Sequence, residues 1–307
     1  MKHQSLISGQ PINLIYFGSP AFSSKILKSL LFNPLRTTYY ELRTIGLVTS
    51  PDVPLGRNKT LTPSPVASLA ASLHLPTFKP AKLDDSNLAH IKLLKPDLFL
   101  VVSYGQIIPQ TWLETPRLGV LNLHFSLLPK YRGALCISQA IKNQDQETGI
   151  TLMAMDEQLD HGPIITQVKV PISTDDDVAS LTQRLTSAAI KLLTSALPDY
   201  LSGKLTATPQ DHSQATFTPT TKTRTRDSAF VSWQDITTKD PATIHALIRS
   251  LNPDPGAWTQ IPTNRGQIEA KILKTNLTDK LNIETIHLPS RSPISFQQFL
   301  AGYSLTL

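Results

Sequence analysis

The chain reads as an α/β protein: a mostly parallel sheet covered on both faces by helices, followed by a small β-rich tail. Three observations predict this. Short, continuously apolar runs recur through residues 12–205, with segments of helical apolar spacing between them. A stretch rich in Thr, Pro, Gln and Ser over 206–227 breaks that alternation. Beyond it the strand candidates are short and only one amphipathic helix stands out.

Residues 12–17 are the first strand, ending in Gly18-Ser19-Pro20, which reads as a tight turn. Phe22, Ile26, Leu27, Leu30 and Leu31 mark one side of the helix that follows. A second strand is expected over 45–48 and a helix over about 84–94, leading into the continuous, buried-type strand 97–102, DLFLVV. Then come a strand over 119–124, a helix over 134–143, and strands over 148–155 and 164–170. A long helix over 178–201 should be interrupted near Pro198, which lacks an amide hydrogen. The expected division is a first domain at 1–205, a linker at 206–228 and a small domain at 229–307. In the tail, 230–233 reads as a strand, and Ile244, Leu247, Ile248 and Leu251 line a helix. Asn252-Pro253-Asp254-Pro255-Gly256 stops that helix. Strands follow over 257–261, 268–273 and 285–288, with a polar spacer over 275–282.

Composition narrows the classes of function. Hydrophobic residues form 40% of the 307, enough for a sizeable core. Cys136 is the single cysteine, so no internal disulfide is possible, which suits a reducing compartment. No apolar run reaches membrane-spanning length, and residues 1–10 are polar with no signal core, so a cytoplasmic protein with no membrane association is expected. A net charge of +6 fits either a lysine-rich surface or an anionic partner such as a nucleic acid. The glycine spacing of a dinucleotide site and a P-loop lysine are both missing, which argues against NAD or ATP. The eight histidines and one cysteine lack ligand spacing, so no metal is expected.

The chemistry concentrates in 119–129, GVLNLHFSLLP. In a strand, residues two apart share a face, so Asn122, His124 and Ser126 point the same way while Leu121 and Leu123 pack behind them. Ligands bind at the carboxyl ends of strands in open α/β sheets. The segment 155–163 offers carboxylates at Asp156, Glu157 and Asp160, and spacing alone does not choose among them.

These residues resemble a known family. The Asn-x-His-x-Ser-Leu-Leu-Pro run, Lys130-Tyr131-Arg132-Gly133, Glu147-Thr148-Gly149 and Leu159-Asp160-x-Gly162 are similar to the formyltransferases that use 10-formyltetrahydrofolate. Ser50-Pro51-Asp52-Val53-Pro54-Leu55-Gly56-Arg57 with Pro63-Ser64-Pro65-Val66 resembles the insertion with which the tRNA-formylating branch holds an acceptor end. Pro96-Asp97 with the stretch 103–109, and Val231-Ser232-Trp233 with the stretch 249–253, add to the likeness, which spans about 12–261. The resemblance implies a Rossmann-like formyltransferase fold and a small C-terminal β-barrel of the OB type, which the brief spacer over 275–282 would leave reduced in this sequence. It implies a catalytic trio of Asn122, His124 and Asp160. It implies a folate site at Ser126, Leu127, Leu128 and Pro129 with Tyr104, Gly105, Gln106 and Ile107. Arg57, Lys59, Lys222, Arg224 and Arg226 are the expected tRNA contacts. The implied reaction carries a formyl group from 10-formyltetrahydrofolate, as co-substrate, to the amino group of initiator methionyl-tRNA. It needs no metal, and a monomer is expected. A sugar-nucleotide N-formyltransferase and a non-catalytic folate- or RNA-binding relative are the alternatives. Phe125, where the family usually has glycine, and His161, after the aspartate, depart from the pattern.

Overall fold

The structure is a computed structural model that describes residues 11–32, 41–56 and 58–306. In chain order it runs β1 (Pro11–Gly18), α1 (Ala21–Phe32), β2 (Glu41–Val48), β3 (Val53–Leu55), β4 (Thr60–Thr62), α2 (Pro65–Ser72), β5 (Thr77–Phe78) and α3 (Asp85–Leu93). Next are β6 (Leu98–Val102), α4 (Gln110–Leu113), β7 (Val120–His124), α5 (Cys136–Lys142), β8 (Glu147–Ala154), β9 (Ile164–Pro171) and α6 (Val178–Leu201). The remainder is α7 (Trp233–Thr238), α8 (Pro241–Leu251), β10 (Trp258–Thr263), β11 (Gly266–Leu277), β12 (Leu281–His287), β13 (Ile294–Ser295) and α9 (Phe296–Gly302).

Seven strands form one sheet in the order β5-β2-β1-β6-β7-β8-β9. The pairs from β5 through β7 are parallel, and β8 runs antiparallel to β7. Every residue of β6 and β7 is buried, as continuous apolar runs require when both faces are covered. Ile15, Phe17, Val48, Phe99, Val101 and Trp112 make a core against which Ile91 of α3 packs. Gly18 ends β1 because a Cβ there would meet the Val102 carbonyl at 2.9 Å and the Ser23 hydroxyl at 2.0 Å. The second sheet is antiparallel throughout, ordered β10-β11-β12-β13, with α8 and α9 supplying apolar side chains to it. β3 and β4 form a separate two-stranded hairpin.

Two compact units emerge from the packing. One takes the described residues up to Ala134 with Gly149–Val170 and Gln183–Phe217; the other takes Leu135–Thr148, Pro171–Thr182 and the described residues from Thr218 onward. Among the described residues, no helix is long and apolar enough to cross a membrane.

Three element expectations are corrected. The helix through Pro198 is continuous to Leu201, because proline costs one backbone hydrogen bond and its fixed φ suits the helix. The strand expected at 230–233 is an isolated bridge from Phe230 to Trp258; the Ser232 hydroxyl accepts from the Asp235 amide, which caps α7 and turns Trp233 into its first residue. The spacer expected at 275–282 is mostly strand: Thr275 pairs with Ile283, Asn276 with Asn282 and Leu277 with Leu281. Polar cross-strand partners, Asn276 with Glu284 and Lys274 with Glu284, hold that hairpin without an apolar period.

Candidate active site

β7 delivers Asn122 and His124 to its carboxyl end, 8% and 6% exposed. Asp160 arrives from the loop between β8 and β9. Asn122 Nδ2 donates to Asp160 Oδ1 at 3.2 Å, and His124 Nδ1 lies 3.5 Å from Asp160 Oδ2, long for a hydrogen bond. The other histidine nitrogen, Nε2, is 2.9 Å from the Tyr131 carbonyl. A carbonyl can only accept, so Nε2 carries a hydrogen. Nδ1 is thus the nitrogen left to face the carboxylate. The Gly133 amide donates to Asp160 Oδ2 at 2.7 Å.

Asp160 has φ +47°, a left-handed conformation that costs a non-glycine residue on the order of 1 kcal/mol. Gln210 holds the loop there: its Nε2 donates to the carbonyls of Asp160 at 2.9 Å and Gly162 at 2.8 Å. Gly162 cannot be larger, since a Cβ would sit 2.0 Å from the Ala154 carbonyl. Arg132 Nη2 donates to Gln210 Oε1 and to His212 Nδ1, both at 2.8 Å. His161 Nδ1 meets Asp156 Oδ2 at 2.7 Å, and its ring stacks on His212 with centroids 3.9 Å apart.

The expected folate residues divide by exposure. Ser126 is fully buried and donates to the Lys130 carbonyl, while Leu127 and Pro129 are half-buried. Leu128 is buried, its amide donating to Thr151 Oγ1 and its carbonyl accepting from Gln167. Tyr104 lies in the core edge-on to Phe17, where burial pushes its phenol up to about 12. Gly105 has open space where a Cβ would be, Gln106 donates to the Pro80 carbonyl, and Ile107 is exposed. Phe125 turns toward α1 and packs on Phe22 with ring centroids 4.7 Å apart.

Of the expected tRNA contacts, Arg57 lies outside the described residues. Lys59 and Lys222 are exposed. Arg224 is half-buried, which lowers its affinity for a proton, partly offset by Asp254. Arg226 is 2.6 Å from Glu269 and covers the Trp258 ring at 4.5 Å. Among the described residues, no cluster of three or more His, Cys, Asp or Glu could hold a metal ion.

Sequence reasoning missed Gln210 and the backbone groups of Tyr131 and Gly133. Gln210 sits in the stretch without apolar period, and backbone groups carry no residue signal.

An open sheet with a carboxamide, an imidazole and a carboxylate gathered at a strand end is an arrangement of the enzyme class, with groups able to exchange protons and to donate to developing charge. The formyl transferase family model matches residues 12–197. The methionyl-tRNA formyltransferase of Dictyoglomus thermophilum is 39% identical over 279 residues, covering 90% of this chain and 83% of its own length. A sugar N-formyltransferase from Shewanella superposes with a TM-score of 0.63 at 17% identity, covering 87% of this chain and 98% of its own. The N-formyltransferase of Helicobacter canadensis, solved with folinic acid and dTDP-3-aminofucose, gives 0.59 at 20% identity over 88% and 89%. These two structures share the fold. The chain belongs to the formyl transferase family, among its methionyl-tRNA formyltransferases.

Proposed function

We propose that the chain transfers the formyl group of 10-formyltetrahydrofolate to the amino group of initiator methionyl-tRNA, with Asn122, His124 and Asp160 as its catalytic residues. The observation that carries the reading is the Asp160 carboxylate bonded to Asn122 and set 3.5 Å from His124 Nδ1. The amino nitrogen attacks the formyl carbon, and a carbon–nitrogen bond forms as negative charge moves to the formyl oxygen. Asn122 Nδ2 and protonated His124 Nδ1 donate to that oxyanion, a contribution of about 10²–10³ in rate per donor. Asp160 takes the proton the new bond releases and relays it toward N10 of the folate, whose bond to carbon then breaks. The turn at 126–129 and the segment 104–107 receive the folate in this reading. In this reading residues 1–205 carry the catalytic and folate side chains, 206–228 lead on from them with Gln210 bonded to the Asp160 loop, and 229–307 add surface for tRNA. The test offers charged initiator tRNA, an amino-sugar nucleotide and water together as acceptors with 10-formyltetrahydrofolate. Formyl-methionyl-tRNA should dominate; formylated sugar or free formate as the main product would refute the assignment.

A further inference from the structure

Gln210 is 6% exposed and every hydrogen-bonding group of its amide is engaged. Both N–H hydrogens have partners, the carbonyls of Asp160 and Gly162, which bracket His161. Its oxygen accepts from Arg132, whose same nitrogen holds His212. Arg132 sits between two residues that touch the catalytic pair. The Tyr131 carbonyl fixes His124 Nε2, and the Gly133 amide fixes Asp160 Oδ2. Tyr131 and Gly133 therefore hold one member of the pair each, Arg132 between them holds Gln210, and Gln210 closes the ring through the backbone of the acid. The Tyr131 and Arg132 amides are tied in turn to Thr216, four to six residues beyond Gln210 and His212, by bonds of 2.9 and 2.8 Å.

We propose that Gln210 is a positioning residue for formyl transfer, setting the separation of the Asp160 carboxylate and His124 through the Asp160 backbone. The proposal rests on the catalytic reading of Asp160 and His124. The need for an external clamp follows from geometry: Asp160 holds a left-handed φ that its own side chain does not favour enough to fix, and it lies on a loop. Displacement of a reacting group by roughly 1 Å costs up to about 100-fold in rate.

The experiment compares Gln210→Glu, Gln210→Met and Asp160→Asn in the full chain. Glutamate keeps the size and the bond from Arg132 but sets an acceptor against two carbonyls; methionine keeps the volume and loses all three bonds. Both Gln210 variants should lower kcat about 10- to 100-fold, with KM for either substrate within about twofold of the parent and a Tm lowered by several degrees, as unpaired buried carbonyls require, but still well above the assay temperature. The pH profile of kcat should also shift in both, because the surroundings of the acid–base pair change. A folded Gln210 variant with parental kcat and pH profile overturns the proposal, as does a rise in KM alone. Loss of fold in both variants overturns it too, since Gln210 would then be a structural requirement; loss in one leaves the other to decide. Parental kcat in Asp160→Asn refutes the catalytic reading instead, whatever Gln210 does.

Discussion

The two ring nitrogens of His124 have different partners, and that difference fixes what the side chain can do. Nε2 is committed to a backbone carbonyl at 2.9 Å, so only Nδ1 can exchange a proton with Asp160 or point at a reacting oxygen. Replacing His124 by alanine removes that donor while leaving the 126–129 turn, which is tied by Lys130, Thr151 and Gln167, in place. We expect His124→Ala to lower kcat by about 10²–10³ and to leave the dissociation constant for the folate almost unchanged, read by single-turnover kinetics beside a binding titration. Equal turnover in variant and parent would remove His124 from the mechanism. At this scale the sequence exposed Asn122 and His124 because a strand's period of two puts them on one face. Asp160 came only through resemblance, since its loop offers three acids and the contact spans 38 residues. The structure also gives Asp156 a separate occupation, as partner of His161.

Elements built from apolar runs were legible: β1, β6, β7 and α8 fall close to where their spacing puts them. The hairpin of β11 and β12 was not, because its pairing depends on polar partners that meet only after the chain turns. Helix α8 carries a polar residue of the same kind. His245 is buried on it; Nε2 donates to the Thr174 carbonyl at 3.1 Å, and Nδ1 accepts from the Thr275 hydroxyl of β11 at 2.8 Å. Burial is the main cause that lowers its proton affinity below the usual 6.5; the Thr174 carbonyl opposes this, Arg249 adds to it, and Asp175 opposes it. The sign follows from linkage. Below about 6.5 the unfolded chain binds a proton there that the folded chain resists, so stability falls as pH drops through that value toward the folded one. His245→Gln should flatten this part of the stability curve, measured as Tm between pH 7 and pH 5 in about 0.5-unit steps across the range where histidine titrates. An unchanged slope would show that His245 does not carry the acid sensitivity.

The molecule as a whole carries 29 Lys and Arg against 23 Asp and Glu, a formal charge of +6. Such an excess attracts a polyanion whatever its sequence, and contacts that neutralise phosphates weaken as salt rises. The cations differ in what they can offer. Lys59 and Lys222 are exposed, whereas Arg226 is already held by Glu269 and by the face of Trp258. An arginine tied at both ends reaches a phosphate only by breaking those contacts. We therefore expect the KM for charged tRNA to climb steeply between about 50 and 200 mM salt, with kcat little altered. Lys222→Ala should reduce the slope of log KM against log salt by roughly 0.7–0.9, the release expected for one phosphate contact. Arg226→Ala should change that slope less than Lys222→Ala does, because its guanidinium is already engaged by Glu269 and Trp258. A KM indifferent to salt in the parent would mean that no phosphate is neutralised and that the basic excess serves solubility; a larger slope change for Arg226→Ala than for Lys222→Ala would mean that the pair with Glu269 opens when tRNA binds.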